Sequence, residues 1–274
     1  MVTLNDKILQ ASPLNGEIKL NELSTRINED KKKLIPALIK LKYSGYLRLR
    51  KPFLGQYRIK RTDLDPKGAN CRILTMFNLK GGVGKTVISF NLSASLAEQG
   101  KNVLLVDLDP QANLSGLFAK SNIGLYELMN AAPTQSVIKK SGIKNLDFIP
   151  SGSKLANIEL ELVSRYKRES VLSNFISEIR ANYDYIIFDC HPSISLLTVN
   201  ALVASDGAVI PCELAPFGLQ SVEKSMFVID MVSKRLNRRL KCDAIILNKY
   251  FEDNLVGTEI EEKIRKKSGK SLDK

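Results

Sequence analysis

The sequence predicts an α/β architecture: a doubly wound, mostly parallel sheet preceded by a small helical domain that ends in a hairpin. Three observations predict it. Short, continuous apolar runs recur between residues 72 and 247, with helical patterns between most of them. That is the pattern of parallel strands buried on both faces. A glycine-rich segment, Lys80-Gly81-Gly82-Val83-Gly84-Lys85-Thr86, stands just after the first run. The first quarter of the chain carries a different pattern and a different charge.

Composition sets the frame. The chain has 274 residues, 44% hydrophobic and 26% charged, which are ordinary globular values and exclude a disordered, collagen-like or disulfide-scaffold protein. No apolar run approaches the roughly 18–20 residues that cross a bilayer. The opening MVTLNDKILQ lacks the basic-then-apolar order of a signal peptide. Cys71, Cys190, Cys212 and Cys242 are widely spaced without a CxxC, as in a reduced, cytoplasmic protein with no cysteine metal cluster. Lys and Arg number 41 against 29 Asp and Glu, a net charge of +12. Residues 1–67 hold 15 of the basic and 7 of the acidic side chains, so two thirds of the excess lies in that quarter. Such asymmetry points to a polyanion partner for the N-terminal segment.

In that segment Leu20, Leu23 and Ile27 recur at helical spacing, followed by the turn-like Asn28-Glu29-Asp30. Leu34, Leu38 and Leu41 then share a second helix face, surrounded by Lys31, Lys32, Lys33, Lys40 and Lys42 and closed by Gly45. Pro36 fits only if this helix starts late, near Lys33 to Ile35. Two alternating runs, 46–50 and 56–60, are separated by Pro52 and Gly55 and read as a hairpin. The order helix, turn, basic helix, hairpin resembles a winged helix-turn-helix. It would set Lys31, Lys32, Lys33 and Lys40 on the DNA-facing helix and Arg48, Arg50 and Arg58 on phosphates. The polar stretch 61–70, with Pro66 and Gly68, marks the boundary: 1–66 is the DNA-binding domain and 67–274 the α/β domain.

The strands of the second domain are predicted at 72–77, 102–107, 146–150, 185–189, 208–211 and 243–247, with helices over 87–99 and 155–181 among the connections. Ligands of such sheets bind outside the carboxyl ends of the strands. The glycine segment lies there. Its glycines let backbone N–H groups turn toward phosphate oxygens, and the following helix offers its positive N-terminus to them. Lys85 would neutralise the β- and γ-phosphates, and Thr86 would offer a hydroxyl to Mg²⁺. The strict Gly-x-x-x-x-Gly-Lys-Thr frame fails because position 79 is Leu79, and a lysine stands at position 80.

KGGVGKT with that extra lysine resembles the deviant Walker A motif of the ParA/MinD family of P-loop ATPases. LLVDLDPQAN (104–113), YDYIIFDCHPS (183–193) and VIPCELAPFGLQSVEK (209–224) resemble the family's next motifs in order, and the ParA branch is the nearest. The resemblance runs from about residue 72 to 256 and implies a fold, a reaction and roles. The fold is the doubly wound P-loop sheet, and the reaction is Mg²⁺-dependent ATP hydrolysis, slow without partner and DNA. Gly81, Gly82, Val83, Gly84, Lys85, Thr86 and Val87 would hold the phosphates. Lys80 would reach the nucleotide of a partner subunit, and Asp109 would orient the attacking water. Asp107 and Asp189 would join Thr86 in holding Mg²⁺ through water, and Asn248 would recognise adenine.

The resemblance further implies an ATP-bound homodimer that binds DNA nonspecifically, with operator binding through the N-terminal domain, and that a centromere-bound partner protein releases by stimulating hydrolysis. That places it in the cytoplasm on the nucleoid. Two departures stand out. His191, the single histidine, replaces the first residue of the family's Pro-Pro and reads as a tolerated turn residue beside the site. The family also continues several dozen residues past the position of Asn248, so its C-terminal DNA-binding residues lack a clear counterpart here. Arg265, Lys266 and Lys267, or the N-terminal domain, would take over that work. A MinD-type membrane-positioning role is disfavoured because residues 257–274 offer only Ile260, Ile264 and Leu272 as an apolar face. A DNA-binding regulator that merely senses nucleotide is the other alternative. Paired cluster cysteines and a tyrosine-rich tail, marks of two neighbouring branches, are missing from the sequence.

Overall fold

The computed structural model describes residues 4–12, 18–43, 47–50, 58–61, 71–118, 123–130, 132–151, 154–215, 217–249 and 260–265. The chain divides into two compact units, Met1–Asn70 with Ser177–Asn182 grouped to it, and the remainder.

The first unit runs α1 (Leu4–Ala11), β1 (Ile18–Lys19), α2 (Leu20–Ile27), α3 (Lys31–Tyr43), β2 (Leu47–Arg50) and β3 (Arg58–Arg61). Ile8, Ile18, Leu20, Leu23, Leu34 and Leu38 form its buried core. The apolar spacing in the sequence therefore picks out the buried faces of α2 and α3. Helix α2 stops at Asn28, which takes the left-handed conformation (φ 54°) that asparagine tolerates better than most residues. Helix α3 starts earlier than Pro36 suggests. The Asp30 carboxylate accepts the Lys32 N–H at 2.6 Å, capping the helix at Lys31. Pro36 thus lies inside the helix, where it cannot donate to the Lys32 carbonyl. Burial of Leu34 and Leu38 on either side of it offsets that lost bond. Helix α1 is an addition to the sequence-based expectation; its short LNDKILQA segment shows few apolar positions to the eye. Gly45, Pro52 and Gly55 lie outside the described residues. The strands make a three-stranded antiparallel sheet in the order β1-β3-β2.

From residue 71 onward the chain runs β4 (Arg72–Met76), α4 (Lys85–Glu98), β5 (Val103–Leu108), α5 (Leu125–Met129), α6 (Thr134–Val137), β6 (Lys139–Lys140), β7 (Leu146–Ile149), α7 (Ile158–Val163), α8 (Val171–Ile179), β8 (Tyr185–Cys190), α9 (Leu196–Ala204), β9 (Gly207–Glu213), α10 (Gly218–Arg235) and β10 (Lys241–Asn248). The sheet order is β10-β9-β4-β8-β5-β7-β6. Every pairing is parallel except the short β6–β7 edge. Strand β5 is buried at all six positions, as its unbroken apolar run requires. The helix predicted over 155–181 is two helices, α7 and α8. Between them Lys167 turns through a left-handed conformation (φ 53°), and the polar stretch from Ser164 to Lys167 has no apolar face to bury.

The strand order fixes the site. Strand β8 lies between β4 and β5, and the register aligns Met76 with Asp189 and Asp189 with Asp107. The glycine segment leaving β4 and the acids of β8 and β5 therefore reach one end of the sheet side by side, although more than a hundred residues separate the first from the last.

Candidate phosphate site

The glycine segment is built as its residues require. Gly82 (φ 74°) and Gly84 (φ 94°) both adopt left-handed conformations. Gly84 also has no room for a side chain, because a Cβ there would run into the Asn248 amide. That amide donates to the Val83 carbonyl at 3.0 Å, so Asn248 fastens β10 to the loop. Gly84→Ala is expected to lower stability by roughly 1–2 kcal/mol from the backbone alone. Thermal unfolding checks that, and a nucleotide titration should show at least about tenfold weaker binding as Asn248 is displaced.

Buried polar groups brace the loop from behind. The Asn78 amide donates to the Pro211 carbonyl at 2.7 Å and its oxygen accepts the Lys80 N–H at 2.9 Å. Ser225 of α10 donates to the Asn78 oxygen at 3.4 Å and accepts the Leu79 N–H at 3.2 Å. Sequence reasoning misses Asn78; its only signal is a polar residue closing a buried strand. Lys85 begins α4 and is 7% exposed. Its ammonium donates to the Lys80 carbonyl at 3.1 Å, across the mouth of the loop. Burial lowers its pKa, while the Asp189 charge pulls the other way. Val87, in the first turn of α4, is exposed.

Lys80 takes no part in that cradle through its side chain. Its ammonium pairs with Glu213 at the end of β9, at 3.1 Å, and Lys249 pairs with the other Glu213 oxygen at 3.0 Å. Hydrogen bonds from Lys249 and then Lys80 hold the Glu213 carboxyl below its usual range. Sequence reasoning misses both Glu213 and Lys249. A signal exists for Glu213, an acid closing an apolar strand as Asp189 does.

The three aspartates differ in their surroundings. Asp107 is fully buried and its oxygens accept from the N–H of Asp109 (2.9 Å), the N–H of Ser115 (2.8 Å) and the Ser115 hydroxyl (2.6 Å). Burial raises its pKa and those bonds lower it. Asp107 therefore shapes the loop after β5 while keeping lone-pair capacity on Oδ1. Asp109 is 8% exposed. Its Oδ1 accepts the Gln111 N–H at 2.9 Å and lies 2.9 Å from His191 Nδ1. Asp189 is 1% exposed; Oδ1 accepts the Ser89 hydroxyl at 3.0 Å, while Oδ2 is buried with no hydrogen-bond partner. Burial pushes Asp189 up to about 6, against the pull of the Thr86 and Ser89 hydroxyls.

An orphaned, buried carboxylate oxygen beside a threonine hydroxyl fits a divalent cation. No group of three or more His, Cys, Asp or Glu side chains among the described residues could hold one by themselves. The donor set suits Mg²⁺, which keeps several waters and shares its shell with phosphate oxygens.

In the first unit, Lys31, Lys32 and Lys33 are exposed at the start of α3, and Lys40 lies further along the same helix. The hairpin register sets Arg48 opposite Lys60 and Arg50 opposite Arg58. Positions directly opposite share a face of the sheet, so four basic positions fall on one face. Lys266 and Lys267 lie outside the described residues. Among the described residues no helix is long and apolar enough to cross a membrane.

A family model described as an AAA domain matches residues 71–242. The sporulation initiation inhibitor protein Soj of Bacillus subtilis is 40% identical over 200 residues, covering 71% of this chain and 79% of Soj. The chromosome partitioning protein ParA of Myxococcus xanthus is 39% identical, covering 71% of this chain and 70% of that protein. Among solved structures, cobyrinic acid a,c-diamide synthase from Mycobacterium smegmatis with bound ATP analogue and magnesium superposes with a TM-score of 0.68 at 26% identity, covering 72% of this chain and 82% of that one.

Proposed function

The chain belongs to the ParA/Soj-type family of P-loop ATPases, and from that premise we propose that it is a DNA-partition ATPase whose ATP-bound form is a homodimer. One observation carries the reading. Lys80 sits beside the phosphate loop, yet its ammonium pairs with Glu213 at the partly exposed rim instead of joining the cradle, which suits a lysine that would reach a second subunit's nucleotide. Within one subunit, Gly81 to Thr86 and the start of α4 wrap the phosphates of ATP, with Lys85 between loop and anion. Thr86 and Asp189, assisted by Asp107, would hold Mg²⁺, which would supply charge neutralisation at the phosphoryl oxygens. Asp109 orients the attacking water. Asn248, whose amide bonds the Val83 carbonyl and so ties β10 to the loop, would recognise adenine.

DNA is the second ligand. The element order of the first unit supports a winged helix-turn-helix over residues 1–66, with Lys31, Lys32, Lys33 and Lys40 on α3 and Arg48, Arg50 and Arg58 on the hairpin as phosphate contacts. Operator binding through this domain and nonspecific binding to the nucleoid in the cytoplasm follow from that reading. A centromere-bound partner protein would trigger hydrolysis and release.

Sedimentation and DNA gel-shift measurements with ATP and with ADP test the cycle. ATP should drive dimerisation and DNA retention, and ADP should reverse both; no response of either to ATP overturns the reading. Neutralising Lys31, Lys32 and Lys33 together should weaken DNA binding. It should also make the slope of log affinity against log salt shallower by up to about 3, at roughly 0.9 for each phosphate that a lysine no longer neutralises.

A further inference from the structure

In the sequence His191 reads as a replaced turn residue; the geometry gives it a task. The β5–β8 ladder ends with Leu108 aligned to Cys190. The residues that directly follow the two strands are Asp109 and His191, so the register brings them together. The His191 ring nitrogen Nδ1 lies 2.9 Å from Asp109 Oδ1. In the tautomer with the proton on Nδ1, the ring donates and the carboxylate oxygen accepts. The same oxygen accepts the Gln111 N–H at 2.9 Å. Two donors converging on Oδ1 from different loops stop the carboxylate from rotating about its Cβ–Cγ bond. Oδ2 is then the oxygen left to face a ligand. The Asp109 side chain is 11% exposed and that of His191 39%, so the pair lies at the mouth of the site, with the carboxylate on the inner side.

We propose that His191 is a positioning residue for hydrolysis: its Nδ1–H donates to Asp109 Oδ1 and thereby presents Oδ2 to the attacking water. The inference rests on Asp109 orienting that water. A proline at this position, as the family pattern has, offers no donor, so here the Asp109 carboxylate gains a restraint of this chain's own. Orientation of a reacting group contributes through the transition state, and a slack carboxylate is misdirected most of the time. Losing one hydrogen bond to a charged group that must be oriented corresponds to about 10- to 100-fold in rate.

The test uses the full chain with Mg²⁺, ATP and DNA, comparing wild type with His191→Ala, His191→Pro, His191→Asn, Asp109→Ala and the Asp109→Ala/His191→Ala double variant. Thermal unfolding verifies that each is folded. His191→Ala and His191→Pro should lower kcat about 10- to 100-fold with KM within about twofold of wild type. His191→Asn, whose side-chain amide can take the place of Nδ1, should recover most of the loss. His191→Ala should add nothing once Asp109 is gone, because a positioning residue acts through its partner. Wild-type kcat in both His191→Ala and His191→Pro, with Asp109→Ala impaired, overturns this inference alone. So do multiplicative effects in the double variant. Wild-type hydrolysis by Asp109→Ala overturns the role of Asp109 and this inference together.

Discussion

Lys80→Ala is expected to abolish ATP-driven dimerisation and to lower stimulated hydrolysis by about 10²–10³-fold, the loss typical of one donor aimed at developing charge. ATP binding to the single subunit should stay within a few-fold of wild type. The reason lies in which atoms of Lys80 build the loop. Its N–H donates to Asn78 and its carbonyl accepts from Lys85, and alanine keeps both. Only the ammonium is lost, and that atom is bonded to Glu213. On the shared-site reading proposed above, the Glu213 pair would hold the lysine until a second subunit's nucleotide arrives. Partly exposed ion pairs are worth about 0–1 kcal/mol, so on that reading a triphosphate should outcompete Glu213 for Lys80. Glu213→Gln should therefore dimerise at lower ATP concentration than wild type, the opposite of Lys80→Ala. Sedimentation velocity across an ATP titration, alongside binding of a fluorescent ATP analogue, separates the two effects. A dimeric Lys80→Ala with ATP would refute the shared-site reading.

The contrast between Lys80 and Glu213 also marks how far the sequence can be read. Continuous apolar runs such as Val103–Leu108 announce buried parallel strands, and the glycine spacing announces a phosphate loop, because both depend on residues close in sequence. The pairing of Lys80 with Glu213 depends on β9 lying beside β4, and that of Asp109 with His191 on β5 lying beside β8. Strand order is a product of packing, and no local pattern carries it. The same holds for Asn78, whose role exists only because the Pro211 carbonyl and Ser225 are brought to it. Local reading fails where a local rule is overruled. Pro36 argues for a late start to α3, but the Asp30 cap and two buried leucines outweigh one lost backbone bond. It fails again at Lys167, where a charged residue takes a left-handed turn that statistics reserve for glycine and asparagine.

Asp189→Asn is expected to push stability and activity in opposite directions. Oδ2 is buried without a partner, and burial holds the carboxyl at about 6 rather than 3.8. That shift corresponds to an unfavourable term on the order of 2–3 kcal/mol once the group is ionised. Asparagine removes the charge and can keep the Ser89 bond through its own oxygen. It places an amide donor where Oδ2 stood, and an unpaired donor costs about 1–3 kcal/mol. The net gain should be about 1 kcal/mol, or ~2–4 °C in Tm for a unit of this size. The pH dependence identifies the cause. An acid with a raised folded pKa binds its proton more tightly folded than unfolded, so wild-type stability falls as pH climbs from 3.8 through about 6. The advantage of the asparagine variant should therefore be absent near the low end of that window and complete above it. Hydrolysis should fall at least about 10²-fold, and Mg²⁺ should tighten nucleotide binding far less, since only Thr86 and the already hydrogen-bonded Asp107 remain to hold the ion. Differential scanning fluorimetry from about pH 3.5 to 8 and a Mg²⁺ titration of ATPase rate measure both arms. A less stable but fully active variant would mean that Asp189 serves the fold. The opposite pair of results would mean that the fold tolerates an unsatisfied charge because a cation is to satisfy it.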